Sequence, residues 1–182
     1  PLGLIESVEV IQGGQSALYG NNAVGGVIKI NTRRPSEEIF GQVQTSLGSF
    51  DSYNGRFALT GAVGGLGYSF HAEHDETDGY RENSQYKANG AGLKLDWTPS
   101  DRFTAYGSLN RVRGEYGLPG PLTRAEFKAD RQQSTQMDNN GDEDVRYLRG
   151  GVGLSISDEL MLSLDGGYTD RELNSEYYYD SI

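Results

Sequence analysis

The chain has 182 residues, a formal net charge of -10 and no cysteine. The acidity argues against nucleic acid as a partner, and without cysteine there is neither a disulfide framework nor a thiolate metal site. The apolar runs are far shorter than the roughly 20 residues of a spanning helix, which excludes a helical membrane protein. Glycine and tyrosine are abundant, at 26 and 12 residues, and this composition favours strands joined by tight turns.

The first predicted elements are two strands, 5–12 and 26–32. The segment QSALYG between them predicts one helical turn, capped by Ser16 and ended by Gly20. Four glycines at 13, 14, 25 and 26 permit tight reversals at either end. Since the pattern breaks at Pro35, we expect a small separate unit up to that residue. The sequence begins at Pro1, without a methionine or a secretory segment. We therefore expect that any targeting signal lies outside this sequence or has been removed.

Beyond residue 39, apolar and polar residues alternate with a period of two. In 88–98, for example, Leu93, Leu95 and Trp97 share one face, and Lys94 and Asp96 share the other. The same pattern predicts seven strands in series, in the segments 41–48, 54–63, 68–73, 88–98, 102–110, 147–157 and 160–170.

The predicted connections are short and long in turn. The short ones are 61–67, 98–102 and 157–159, and the long ones are 49–54, 76–85 and 114–144. An up-and-down meander with short turns at one end and long loops at the other is typical of transmembrane barrels. Trp97 and Phe103 flank one short turn, where an interfacial aromatic girdle would lie. A soluble sandwich also alternates, but its strands are usually shorter and its outer face is less rich in glycine.

The segment IESVEVIQGGQSALYGNNAVGGVIKINTRRP resembles the end of the plug domain of TonB-dependent outer-membrane receptors. The shared features are the Ile-Glu-x-x-Glu-Val strand, Ser-x-Leu-Tyr-Gly, a Gly-Gly pair and a strand ending in Arg-Arg-Pro. The resemblance implies that the matching residues shape the plug and do not contact ligand; they are Gly13, Ser16, Leu18, Tyr19, Gly20, Gly25, Gly26 and Pro35. Gln12 stands where the family usually carries an arginine that contacts the barrel wall, so the resemblance implies that this contact is weaker or differently made here.

The resemblance implies an all-β, partial chain. Residues 1–35 would be the C-terminal end of a plug domain, and 36–182 about seven antiparallel strands of a large transmembrane β-barrel, with short periplasmic turns and long extracellular loops. The implied function is import of a scarce ligand across the bacterial outer membrane, with a ferric siderophore favoured over haem, cobalamin or a glycan. The implied partners are outer-membrane lipid, the small-molecule ligand and the TonB complex, whose contact segment would lie upstream.

Two other functions remain open at the level of sequence. A passive porin or adhesin barrel would share the alternation, but it gives no reason for the plug-like segment. A soluble carbohydrate-binding sandwich would explain the tyrosines and glycines. Since the chain has no phosphate-binding loop, dinucleotide fingerprint or nucleophile elbow, we predict neither an enzyme nor a bound cofactor.

Arginine and aromatic residues on the predicted long loops are the candidate ligand contacts, because such side chains hold anionic or aromatic chelates. They are equally compatible with an ordinary solvated loop. The candidates are Tyr80, Arg81, Tyr116, Arg124, Phe127 and Arg131.

Two metal-like patterns are weak. Asp138, Asn140, Asp142 and Asp144 resemble a calcium loop in composition, but Gly141 falls at the fourth position and the EF-hand pattern needs it at the sixth. His71 and His74 of the segment HAEH would point to opposite faces of a strand. We therefore predict no metal site.

Overall fold

The computed structural model describes residues 5–14, 23, 25–32 and 35–177. The chain divides into two compact units, Pro1–Arg34 and Pro35–Ile182. Within the described part, no helix is long and apolar enough to cross a membrane.

The first unit contains an antiparallel pair, β1 (Ile5–Gln12) and β2 (Gly26–Thr32). Val8 lies opposite Ile30 on one face, and Glu9 lies opposite Lys29 on the other, with 3.5 Å between Glu9 Oε1 and Lys29 Nζ. Gly26 has a φ of +148°, and a Cβ there would lie 2.7 Å from the Ile11 carbonyl oxygen, so only glycine fits. The predicted turn with Ser16, Leu18, Tyr19 and Gly20 lies outside the described residues.

The second unit is one seven-stranded antiparallel sheet in which each strand pairs with the next along the chain. Its strands are β3 (Phe40–Leu47), β4 (Tyr53–Val63), β5 (Leu66–Thr77), β6 (Tyr86–Ser100), β7 (Phe103–Gly117), β8 (Asn140–Ser155) and β9 (Met161–Glu176). One short helix, α1 (Arg124–Ala129), lies between β7 and β8. The predicted meander of seven strands is therefore confirmed.

The connections fall into two sets at opposite ends of the sheet. The turns at one end are 64–65, 101–102 and 156–160, and the loops at the other are 48–52, 78–85 and 118–139. The longest loop is shorter than the predicted 114–144, because charged cross-strand pairs such as Arg113 and Asp144 continue the ladder beyond the apolar alternation.

This longer ladder corrects the placement of two segments that were predicted to lie in the loop 114–144. Tyr116 lies in β7 and not in a loop. Asn140, Asp142 and Asp144 lie in β8, where extended backbone cannot wrap around a cation, so the calcium-like composition does not describe a calcium loop.

The two faces of the sheet differ in exposure. In β6, Ala88, Gly90 and Gly92 are buried, whereas Ala91 and Leu93, which point to the other face, are exposed. Since the strands of residues 35–177 form a single sheet, this difference indicates curvature, with the polar and small residues on the crowded concave face. The large apolar side chains lie on the convex face, which is the opposite of a soluble sandwich with its apolar face packed inside.

Glycines on the concave face make room for large neighbours. A Cβ on Gly92 would collide with the side chains of Asn110 and His71, and one on Gly141 would lie 2.5 Å from the Tyr116 ring. His71 is 9% exposed on this face, whereas His74 on the convex face contacts Asn89 and Glu76. The two histidines thus point to opposite faces, as the alternation predicts.

Replacing Gly92 with alanine is expected to destabilise the sheet by about 1–3 kcal/mol, because the new methyl group overpacks against two side chains. The measurement is the free energy of unfolding of the full-length protein in detergent. Gly107→Ala is the matched control, since a Cβ at Gly107 meets nothing within 4 Å. Equal stability of the two variants would contradict the packing argument.

Candidate membrane belt and ligand-facing loops

Exposed apolar side chains cover the convex face as one continuous belt. Across the middle of the sheet, the paired positions form a row from β3 to β9: Gly41, Leu59, Phe70, Leu93, Leu109, Leu148 and Tyr168. Successive rows on this face are two residues apart along each strand, because alternate residues point to the other face. Two rows nearer the short turns, a second apolar row consists of Val63, Leu66, Trp97, Ala105, Val152 and Leu164. A single-layer sheet with such a face requires an apolar surrounding.

The belt runs obliquely across the hydrogen-bonded rows. Towards the long loops, it reaches Leu47 on β3 and ends at Tyr168 on β9, which lies three rows lower in the ladder. Three rows span about 20 Å along a strand, and the six strand spacings between β3 and β9 span about 29 Å. The belt is therefore inclined by about 35° to the rows, close to the roughly 35–45° by which strands tilt in transmembrane barrels.

An aromatic pair marks the belt at the turn 101–102. The Trp97 and Phe103 rings lie 5.7 Å apart, edge to face. Their position at the end of the apolar zone agrees with the aromatic girdle that the sequence predicts.

Charged pairs replace the apolar residues on the loop side of the belt. Arg111 Nε donates to Asp144 Oδ1 at 2.9 Å, and Arg146 Nη2 donates to Asp144 Oδ2 at 3.0 Å. Both arginines occupy the first row beyond Leu109 and Leu148. Leucine is replaced by charged residues from one row to the next, and this change locates the boundary of the apolar zone.

The three long loops contact one another at their end of the sheet. The Asp78 amide donates to the Phe50 carbonyl at 2.9 Å, and the Phe50 and Tyr80 rings lie 5.6 Å apart, edge to face. The Glu82 amide donates to the Gln132 carbonyl at 2.7 Å. Loop 78–85 therefore links loop 48–52 to loop 118–139.

Arg81 lies within this linkage. Its guanidinium donates to the carbonyls of Gly120 at 2.7 Å, Gln133 at 2.9 Å and Pro119 at 3.2 Å. The side chain is half-buried, and its donors are directed at backbone and not at open solvent. The predicted role of Arg81 and Tyr80 as ligand contacts stays a prediction, and the structure gives both residues contacts within the loops.

Three of the other candidates lie on or beside α1. Thr123 caps the helix: its hydroxyl accepts from the Glu126 amide at 3.3 Å, and Glu126 Oε2 accepts from the Thr123 amide at 2.7 Å. Arg124 and Phe127 are exposed on the helix, and the Arg131 guanidinium lies 5.5 Å from the Phe127 ring centroid. This arrangement presents a cation and an aromatic face together.

The last candidate, Tyr116, lines a cleft of about 530 Å³ at the loop ends of the strands. Tyr86 and the charged residues Lys87, Arg113 and Glu115 also line it. The candidates thus form two groups, one around α1 and Tyr80, and one at this cleft.

Sequence reasoning missed two residues that organise the loops. Asn83 Nδ2 donates to the carbonyls of Gln136 at 2.6 Å and Asn139 at 2.8 Å, and Phe50 forms the contact with Tyr80. Asn83 has a φ of +51°, which asparagine tolerates better than most residues, so an asparagine in a polar loop was the available signal.

The chain is similar to known proteins in sequence and in structure. Residues 1–27 match the family model of the TonB-dependent receptor plug domain. The pesticin receptor of Yersinia pestis is 39% identical over 59 residues, which cover 32% of this chain and 9% of the receptor. The vitamin B12 transporter of Photobacterium profundum is 43% identical over 70 residues, which cover 38% of this chain and 11% of the transporter.

Among solved structures, the ferric yersiniabactin uptake receptor FyuA from Yersinia pestis superposes with a TM-score of 0.83. The superposition covers 97% of this chain and 30% of the FyuA chain at 21% identity. At that identity, the likeness describes the fold alone. The chain thus corresponds to about a third of the FyuA barrel receptor and to a smaller part of the curated relatives.

The fold is all-β: part of a plug domain followed by seven antiparallel strands like those of the TonB-dependent receptor barrels. The plug-domain match, the curated relatives and the solved structures all support a TonB-dependent receptor. The relatives are receptors and transporters and not enzymes, so a non-enzymatic role is supported as well.

The α1 cap is expected to weaken in acid. Its hydrogen bonds with Thr123 lower the pKa of Glu126, so the stabilisation by its carboxylate is present above the ordinary pKa of glutamate and is lost as pH falls through the lowered value. We expect the amides of α1 to exchange hydrogen faster in acid, after correction for intrinsic rates. Glu126→Gln keeps an acceptor without a titrating group and should remove this pH dependence; if it does not, the cap is not the cause.

Proposed function

We propose that this chain is part of an outer-membrane receptor that imports a scarce ligand, with a ferric siderophore favoured. The ligand binds at the outer loops, and displacement of the plug, driven by the TonB complex, admits it. In this proposal, residues 1–35 end the plug domain, residues 36–182 begin the barrel, and loops 48–52, 78–85 and 118–139 are extracellular. The protein itself performs no covalent chemistry.

The inclined apolar belt carries the proposal. It accounts for the exposure of Leu109 and Leu164, at 57% and 72%, by placing them against lipid. The belt favours a tilted membrane barrel independently of the sequence matches, and the plug match at 1–27 favours an energised receptor over a passive porin. A porin or adhesin would have the same belt without the plug.

The choice of ligand rests on the loops and on the relatives. Residues 124–131 carry three cations, Arg124, Lys128 and Arg131, against two carboxylates, Glu126 and Asp130, in a chain whose net charge is -10, and the Arg131 guanidinium lies beside the Phe127 ring. An anionic chelate with aromatic groups would complement that surface. The relatives differ in their ligands, so the class of chelate is supported here by the surface of α1 and not by likeness.

Leu95→Arg is expected to reduce the amount of assembled receptor, because an arginine near the middle of a lipid-facing belt costs about 2–4 kcal/mol. Asn89→Arg is the matched control: it is on the same strand and face, beyond the apolar zone. The measurement is the heat-shifted fraction of the receptor in outer-membrane preparations. Equal assembly of both variants would contradict the assignment of the belt to lipid.

Deleting the gene that encodes the intact receptor is expected to abolish energy-dependent uptake of its ligand. The assay supplies radiolabelled ferric yersiniabactin, ferric citrate or cobalamin singly, under iron or cobalamin limitation, to deletion and complemented strains. Uptake that is restored by the complementing gene and lost when the proton gradient is collapsed supports an energised receptor. Complementation that persists without the gradient would favour a passive porin, and an intact receptor found outside the outer membrane would refute the proposal.

A further inference from the structure

Loop 78–85 is held by loop 118–139 through side chains that reach backbone oxygens. Arg81 donates to three carbonyls, those of Pro119, Gly120 and Gln133. Asn83 donates to two more, those of Gln136 and Asn139. These acceptors lie on both sides of α1, so the two side chains join the segments before and after the helix.

The contacts are reciprocal. Gln132 Nε2 donates to the Tyr80 carbonyl at 3.2 Å, and the Ser134 amide donates to Glu82 Oε2 at 3.2 Å. Asn139, at the foot of the long loop, is fully buried. A 22-residue loop, 118–139, would otherwise have considerable freedom, and ordering it on ligand binding would weaken the apparent affinity.

We propose that Arg81 and Asn83 are positioning residues. Their hydrogen bonds to loop 118–139, together called the pin, fix this long loop and thereby hold the cationic and aromatic surface of α1 in one place for an anionic chelate. This inference rests on the proposed import function for its ligand, and on the hydrogen bonds alone for its mechanics. In this proposal Arg81 acts through α1, and this role replaces the ligand contact that the sequence predicted for it. The loops 78–85 and 118–139 therefore move together or not at all.

The planar, forked guanidinium group explains why position 81 is an arginine and not a lysine. Its donors diverge in a fixed geometry and reach three carbonyls at once, whereas a lysine ammonium is a compact charge on a flexible stem. Arg81→Lys should therefore behave like Arg81→Gln and not rescue the loop. Asn83→Asp replaces the donating amide by a carboxylate facing two carbonyls, and it tests the same pin without changing the size of the side chain.

The first measurement is hydrogen exchange by mass spectrometry on the full-length receptor in detergent. In Arg81→Gln and in Asn83→Asp, we expect exchange to rise at least about tenfold in 78–85 and 118–139 together, with the strands unchanged. Arg102→Gln, in a turn at the other end of the sheet, is the matched control and should change neither loop. A rise in 78–85 alone, or in neither loop, would overturn the pin.

The second measurement is the concentration dependence of uptake, with whichever of ferric yersiniabactin, ferric citrate and cobalamin the wild type imports. The pin predicts a half-saturating concentration about tenfold higher in Arg81→Gln, with the maximal rate retained, because only the fraction of receptors with an ordered loop binds ligand. Poor assembly would instead lower the maximal rate at an unchanged half-saturating concentration, and that result would overturn the positioning role.

The two measurements separate the inference from the proposed function. If both loops loosen together but the wild type imports none of the probes, the pin stands and the import proposal loses its support. If the wild type imports a probe and the variants match it in half-saturating concentration and in exchange, the import proposal stands and the pin falls.

Discussion

The ladder of backbone hydrogen bonds from β3 to β9, which has one irregularity between Trp97 and Ser100, is the constraint on which the rest of the structure depends. In an apolar surrounding, an unpaired amide or carbonyl costs several kcal/mol, so a sheet that faces lipid must satisfy its backbone within itself. The ladder also fixes the alternation of faces: a slip of one residue would exchange Leu93 for Lys94 on the convex side. Register, belt and concave face are therefore set together.

The concave face follows from the same constraint. Curvature crowds the side chains there, and large residues fit only where a neighbour is small, as with His71 and Asn110 beside Gly92. On the same face, Thr60 and Ser69 are buried, and their hydroxyl oxygens are hydrogen-bonded at 2.9 Å. Glycine is thus abundant in this chain for two different reasons: turns such as Gly64 and Gly65, both with positive φ, and the accommodation of large neighbours within strands.

Much of the sheet was predictable, because period-two alternation is a direct consequence of a strand with one apolar face. The strand ends were not: β7 and β8 continue beyond Leu109 and Leu148 as charged pairs, which carry no apolar signal. At the loops, the sequence identified Arg81 as a candidate but not its partners. Those partners are backbone carbonyls, which every residue possesses, so no pattern of side chains could reveal them.

The contacts made by Arg81 and Asn83 have a consequence for how this surface can evolve. Since both residues grip main-chain oxygens, the bonds do not depend on which side chains the long loop carries. Outward positions such as Arg124 and Phe127 can be exchanged without loss of the scaffold beneath them. Recognition can therefore diverge by substitution at the surface while the architecture of the loops persists.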